Sequence, residues 1–340
     1  MFTSLDMSSI IKAFVQRITM STKFNSIRPT QFGSEDILRE HDGRLYNGVQ
    51  GDYALPADQE EIQRLNSQHK ALTMASTITK RPIIIKYRIT GTRIQSSLLA
   101  QSSPRVLDVG CGTGIWSIQV GEKLPQVSVT GVDLVSIHPP TYPSNVNFEK
   151  LDILQEFPDG WEGSFDLVHA RYLIAGIRDF SLLLSRLTKL LKPNGHLVVV
   201  EPQARFRTVD NDIKEVCPMT SRISAVVCDA MLKLGIDPIP GKKVSTYLQE
   251  NLNLEYDEVE TKTLDMPLSP WSDDPRLHQI GQAHLPNSLS LPGAFRRLTV
   301  GSGIITEKWY DELTKGCQEE MIKAEGKLVL PVWLIWAKKK

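Results

Sequence analysis

The sequence predicts an α/β fold, a mainly parallel sheet with helices on both faces. Three observations carry that expectation. Apolar runs of strand length alternate with helical patterns from Arg105 to Glu201, the order in which parallel strands and crossover helices follow one another. The first run, Val106-Leu107-Asp108-Val109, passes straight into Gly110-Cys111-Gly112-Thr113-Gly114. Acids then fall at or just past the ends of the next two strands, at Asp133 and Asp152, on the edge where open α/β sheets bind ligands.

In chain order, residues 1–40 read as a flexible N-terminal arm. Within it Ile10 to Val15 form a short amphipathic patch that lacks the basic start, long apolar core and cleavage site of a signal peptide. Lys12, Arg17, Lys23 and Arg28 among serines and threonines have the charge of a mitochondrial presequence, which Asp6 opposes. Residues 41–58, rich in glycine and aromatics, read as a structured loop. Asp58 followed by Glu61 makes a capping-box pattern, and the helix from Gln59 carries Ile62, Leu65 and Leu72 on one face. Residues 41–100 precede the first core strand, so they either cover the ligand site as a lid or pack on the core. Arg81 to Ile94 is ambiguous between strand and helix, and Ser96 to Pro104 reads as a linker.

The main domain is expected over 101–340. Its strands are Val106 to Val109, Val127 to Val132, Val146 to Lys150, Phe165 to Ala170 and Leu197 to Val200, with a helix over Ile115 to Leu124. Asp179 caps a helix with Leu183, Leu187, Leu190 and Leu191 at helical spacing, stopped by Pro193-Asn194-Gly195. A further helix covers Ile223 to Leu234 and ends at Gly235. Tyr256 to Leu264 and Lys327 to Trp336 are late strands. Residues of about 203–300 form an insertion that caps the substrate.

Bulk properties bound the function. The 340 residues are 41% apolar, and 39 basic residues balance 39 acidic ones, so no net charge draws the chain to nucleic acid or an anionic membrane. The four cysteines, Cys111, Cys217, Cys228 and Cys317, show no metal-type spacing and fit a reducing, cytoplasmic compartment. No apolar run reaches the length of a membrane span.

The glycine loop narrows the ligand. A dinucleotide site uses G-x-G-x-x-G with pyrophosphate on the helix N-terminus. Here the spacing is Asp108-x-Gly110-x-Gly112-x-Gly114. An acid in a phosphate cradle repels its ligand, whereas an acid beside an amino group attracts it. The pattern therefore favours a nucleoside that bears an amino acid. Asp133 can accept both ribose hydroxyls, and Asp152 an adenine amino group with Ile153 against the ring.

These residues, with Leu191-Lys192-Pro193-Asn194-Gly195-His196-Leu197, resemble the class I S-adenosylmethionine (SAM) methyltransferases over Arg105 to Glu201. The resemblance implies a Rossmann-like sheet of seven strands, the last inserted antiparallel. It implies SAM as cofactor, held by Asp108, Gly110, Cys111, Gly112, Gly114, Asp133, Leu134, Asp152, Ile153 and His169. A narrower resemblance rests on Tyr46-x4-Gly51-x-Tyr53-x-Leu55-Pro56-x-Asp58-x2-Glu61-x2-Arg64-Leu65-x2-Gln68-His69. Gly114-Ile115-Trp116, Asp133-x3-Ile137-x-Pro139, Asp166 to Arg171, Met266 to Arg276 and Gly281 extend it. These motifs are similar to those of the fungal LaeA-like methyltransferases. That family includes regulators of secondary metabolism that work in the velvet complex and enzymes that methylate small molecules. Cys111 stands where relatives often have threonine, and the absence of a long polar N-terminal extension favours a small-molecule enzyme.

SAM brings its own activated methyl, so the protein must orient the acceptor and, where needed, deprotonate it. His169, at the end of the fourth strand, is the expected base, or else a cofactor-contacting or core histidine. His278 and His284 are weaker choices for the base. Glu201 is expected to satisfy backbone donors, and Trp271, Tyr53 and Trp116 either line an apolar pocket or pack. No metal is expected. His169-Ala170-Arg171-Tyr172 is not the Asn/Asp-Pro-Pro-aromatic motif of amino-directed nucleic-acid enzymes, and the glutamate pair of protein-arginine enzymes is absent. The expected function is methylation of a small molecule in a fungal biosynthetic pathway. The alternatives are a nuclear SAM-binding regulator that acts through protein partners and a degenerate fold that only binds.

Overall fold

The structure is a computed structural model and describes residues 38–48, 54–78, 93–250, 252 and 255–340. Residues 1–37 of the arm expected over 1–40, residues 81–92 of the ambiguous stretch Arg81 to Ile94, and Tyr53 lie outside the described residues; residues 38–40 of that arm belong to a strand, and the ambiguous stretch ends in a helix that starts at Arg93. Strands β1 (Leu38–His41) and β2 (Arg44–Asn47) pair antiparallel as a hairpin. Asp42 and Gly43 turn it with φ of 52° and 72°, the paired left-handed conformation of a two-residue Asp-Gly turn. That dipeptide was the signal for a hairpin within the glycine-rich loop.

Helix α1 (Gln59–Ile78) follows. Its capping box is half formed. The Glu61 backbone N–H donates to the Asp58 carboxylate at 3.0 Å, but the Glu61 side chain pairs with Arg64 instead of turning back. The Asp58 carboxylate also takes the Arg44 guanidinium in a two-bonded pair, which fixes the hairpin to the helix. Helix α2 (Arg93–Leu99) replaces part of the expected linker because Ile94 and Leu98 are fully buried on the core, one turn apart.

The main sheet then alternates with helices: β3 (Arg105–Val109), α3 (Ile115–Lys123), β4 (Ser128–Asp133), β5 (Val146–Lys150), β6 (Phe165–Arg171), α4 (Phe180–Leu190) and β7 (Leu191–Pro202). Asp179 caps α4 by accepting from the Leu182 N–H. The helix ends at Leu190, before the Pro193-Asn194-Gly195 turn, where Asn194 takes a left-handed φ of 64°. Beyond come β8 (Arg207–Thr208), the short α5 (Ile213–Val216), α6 (Pro218–Lys233), α7 (Pro240–Glu250) and β9 (Tyr256–Pro267). Helices α8 (Pro275–Gly301) and α9 (Glu307–Lys323) lead to β10 (Leu328–Lys339).

The sheet order is β5-β4-β3-β6-β7-β10, with β9 and the two-residue β8 both paired to β10. The first five strands are parallel. Strand β10 runs antiparallel between β7 and β9, as the resemblance implies, and β8 is an addition to the seven expected strands. Side chains alternate between two cores. Val106, Val129, Leu167, Val198 and Leu334 pack with α1, α2, α3, α6, α8 and α9. Leu107, Val132, Val168, Leu197 and Ile335 face α4 and α7. Six helices on one face and two on the other leave the crowded face to build a roof above the strand ends. Among the described residues no helix is long and apolar enough to cross a membrane.

Candidate functional site

A cavity of about 620 Å³ opens at the C-terminal edge of β3, β4, β6 and β7. That volume suits a ligand of cofactor size or larger. Its polar end is the loop between β3 and α3 together with the ends of β4 and β5: Gly110, Cys111, Gly112, Asp133, Leu134, Asp152 and Ile153 all line it. Seven of the ten expected cofactor residues are thereby brought together. Gly110 has a φ of +65°, and a Cβ there would lie 2.2 Å from the Leu173 Cδ2, so a side chain at this position would be strained and would have to displace the tip of Leu173. Gly114 has a φ of +68° and sits outside the lining, at the N-cap of α3, where a Cβ would strike the Phe148 ring at 2.3 Å.

Asp133 holds the loop in shape. Its two oxygens accept from the Gly112 N–H at 2.8 Å and the Val135 N–H at 3.2 Å. Burial raises its pKa against the pull of those bonds. A carboxylate oxygen has two lone-pair positions, so each still has acceptor capacity for a hydroxyl in the cavity. This fits the diol of a ribose. Asp152 uses Oδ1 to accept from the Leu154 N–H at 2.9 Å and so shapes its own turn. Cys111 is buried, and its thiol is held well above its ordinary range by burial first and by Asp133 and Asp108 next. It packs as a neutral group.

Asp108 and His169 require correction. Neither lines the cavity. They sit one layer below the loop, where the Asp108 carboxylate accepts from the Ser117 hydroxyl at 2.6 Å and pairs with the His169 Nδ1 at 2.8 Å. Trp116 stacks on the His169 ring at 3.8 Å between centroids and an angle of 6°. Burial lowers the His169 pKa in spite of Asp108. The ring is buried, with one face stacked on Trp116 and Nδ1 paired with Asp108. Trp116 is spent in the same contact. His278 is exposed, and Trp271 donates its indole N–H to the Leu328 carbonyl. Glu201 does what was expected, accepting from the Leu173 and Ile174 N–H groups at 2.9 and 3.1 Å. Burial drives its pKa up to about 8.

The other end of the cavity is apolar. Leu55, Ile174, Phe206, Val227, Phe295 and Leu330 line it, and they come from the segment before α1, the loop after β6, the link between β7 and β8, α6, α8 and β10. Helix α1 contributes Arg64, Leu65 and Gln68 to the lining, and its Ala71, Leu72 and Ala75 pack in the core. Arg64 is only 5% exposed. Its guanidinium is held by Glu61 at 2.8 and 2.5 Å and donates to the Asn287 Oδ1 at 2.8 Å. The Asn287 amide in turn faces the His284 Nε2 at 3.0 Å, while the His284 Nδ1 lies 2.9 Å from the Pro267 carbonyl. A carbonyl can only accept, so the proton is on Nδ1 and Nε2 accepts from Asn287. Burial holds the His284 pKa down near 4. His284 is thus a neutral brace of the roof, not a base. Arg64, Gln68, Arg171, Tyr172 and Asn287 line the cavity although the sequence reading assigned none of them to the site.

Comparisons with known proteins agree with this architecture. Residues 85–230 match the methyltransferase domain family. The protein-methionine methyltransferase laeA of Emericella nidulans is 29% identical over 254 residues, 70% of this chain and 59% of that protein. The chain thus spans about three fifths of the length of the laeA relatives it matches. Methyltransferase str2 of Strobilurus tenacellus is 26% identical, covering 79% of this chain and 90% of the relative. Methyltransferase pytC of Aspergillus terreus is 26% identical, covering 87% and 86%. The glycine loop and the inserted antiparallel strand agree with these relatives: residues 85–230 match a methyltransferase domain, and the chain is similar to the LaeA-like methyltransferases.

Proposed function

We propose that the chain is a SAM-dependent methyltransferase acting on a small, largely apolar acceptor in fungal secondary metabolism. The observation that carries this is one cavity with two chemistries. A glycine loop closed by Asp133 forms one end, and an apolar chamber roofed by α1 and α8 forms the other. The str2 and pytC alignments, which run over most of both chains, support it. Bound SAM supplies a methyl group activated on a sulfonium, which needs no metal. Asp133 binds the ribose hydroxyls, Asp152 and Ile153 bound the adenine pocket, and Gly110 lets the backbone approach the ligand closely. The apolar chamber excludes water and orients the acceptor. No buried histidine is placed to take a proton from it, so an acceptor that ionises without help is favoured.

A second reading, a regulator acting through protein partners, rests on the similarity to laeA. Deleting the gene and profiling metabolites separates the two. Accumulation of one unmethylated precursor supports the enzyme, and loss of many unrelated compounds overturns it.

A further inference from the structure

Arg171 stands at the end of β6, one position beyond the Val109–Ala170 pair and so beside Gly110, and its side chain lines the cavity. Among the described residues several arginines pair with acids, as Arg44 with Asp58, Arg64 with Glu61, Arg207 with Asp265 and Arg296 with Asp42, Glu307 and Asp311, while Arg186 donates to the Ile153 carbonyl and Arg105 and Arg297 lie over aromatic rings. No described carboxylate lies within ion-pair distance of Arg171. Asp108, on the neighbouring strand, raises the Arg171 pKa against the effect of burial, but its two oxygens already meet Ser117 and His169. The Arg171 hydrogen bond runs instead to a neutral group, from Nη1 to the His69 Nδ1 at 3.1 Å.

His69 is a deliberate partner. A guanidinium only donates, so the His69 Nδ1 accepts, and its proton sits on Nε2, facing the Gln119 Oε1 at 3.0 Å. Burial, with Arg171 next, holds the ring neutral, its pKa near 3. Helix α1 therefore aims the guanidinium without cancelling its charge. A guanidinium keeps its proton under all ordinary conditions, and an unpaired charge in a poorly solvated site is unfavourable until an anion meets it. Among the described residues one of the five N–H donors has a partner, and the guanidinium edge suits two-bonded pairing.

We infer that Arg171 is a carboxylate receptor within the cavity, set in place by His69 of α1. The inference rests on the methyltransferase reading for the identity of the ligands. Two sources of carboxylate share that chemistry: the amino-acid end of the cofactor and an acid group on the acceptor.

The test is calorimetric titration of the full chain and its Arg171→Gln variant with S-adenosylhomocysteine, with 5′-methylthioadenosine, which lacks the amino-acid end, and with octanoate. If the cofactor supplies the carboxylate, Arg171→Gln weakens S-adenosylhomocysteine about 10- to 150-fold and leaves methylthioadenosine unchanged. If the acceptor supplies it, both nucleosides are unchanged, and octanoate binds the wild type in an Arg171-dependent way. Either result supports the receptor. Equal weakening of both nucleosides, or no ligand that depends on Arg171, overturns it. A wild type that binds neither nucleoside overturns the methyltransferase reading, and octanoate on the unliganded protein then decides Arg171 alone. Removing an unpaired charge should leave the melting temperature of the free variant no lower than that of the wild type. Should Arg171→Gln fail to fold, Arg171→Lys serves, since it keeps the charge but not the fork; the expected result is a selective loss of the carboxylate-bearing ligand, and an unselective loss overturns the receptor.

Discussion

Asp133 and His169 show how differently two residues of the same motif set are used. Asp133 faces the cavity and ties the glycine loop through the Gly112 N–H. Its replacement by alanine should weaken S-adenosylhomocysteine by roughly 10- to 150-fold, about 1.5–3 kcal/mol for a charge-assisted contact. Unchanged affinity by calorimetry would remove Asp133 from the ligand. His169 lies beneath, between Asp108 and Trp116. His169→Ala would leave the buried Asp108 oxygen without its partner, so the expected result is a loss of about 1–3 kcal/mol of stability in urea denaturation. The pH profile of turnover should keep its shape; loss of an ionisation from that profile would restore His169 as a base. The sequence showed that both residues stand at strand ends. It could not show depth, because depth depends on Trp116 folding over the ring. Nor could it single out Arg171, whose meaning lies in the absence of an acid nearby.

Helices α1 and α8 meet through side chains 223 residues apart, Arg64 and Asn287. Asn287→Leu keeps the volume but leaves the His284 Nε2 and one Arg64 donor unmatched in a buried place. It should cost about 1–3 kcal/mol and hasten proteolysis within α1. A variant that unfolds and is cleaved like the wild type would show that α1 and α8 are held by apolar packing alone. Element existence was legible wherever periodicity and caps coincided, as at Asp179 before α4. It was obscured in α8, which carries Pro286 and Pro292 inside its span. Such residues normally end a helix, and here the Tyr310 hydroxyl donates to the Pro292 carbonyl and the Gln318 amide to the Leu289 carbonyl at 2.8 Å each. Those donors come from α9, and no local pattern announces them. Asp274-Pro275 was a start signal, since Asp274 caps α8 and Pro275 opens it.

At the scale of the molecule, buried histidines set the response to acid. His69, His196 and His284 have folded pKa values of about 3, 4 and 4, depressed chiefly by burial. The unfolded chain binds their protons near pH 6.5, so stability is complete above that pH and falls as pH drops toward 4. Each proton bound only by the unfolded chain is worth up to about 1.4 kcal/mol per pH unit. His169 acts in the same sense. Glu201, raised to about 8, and Asp133, also raised, act in the opposite sense, holding protons in the folded state that the unfolded chain has lost. The histidines outnumber them, so urea midpoints should rise from pH 4.5 to 6.5; a flat profile would mean that these rings find partners when charged. The sheet order was legible because the alternation of strands and helices is a property of the whole chain, and the antiparallel last strand followed from the family resemblance. The roof was not, since its parts come from three separated segments. All of this converges on one ligand. Calorimetric titration of the full chain with S-adenosylhomocysteine should give a single site per chain that weakens in Asp133→Ala. The absence of binding by a folded wild type would contradict the assignment of the glycine loop to SAM.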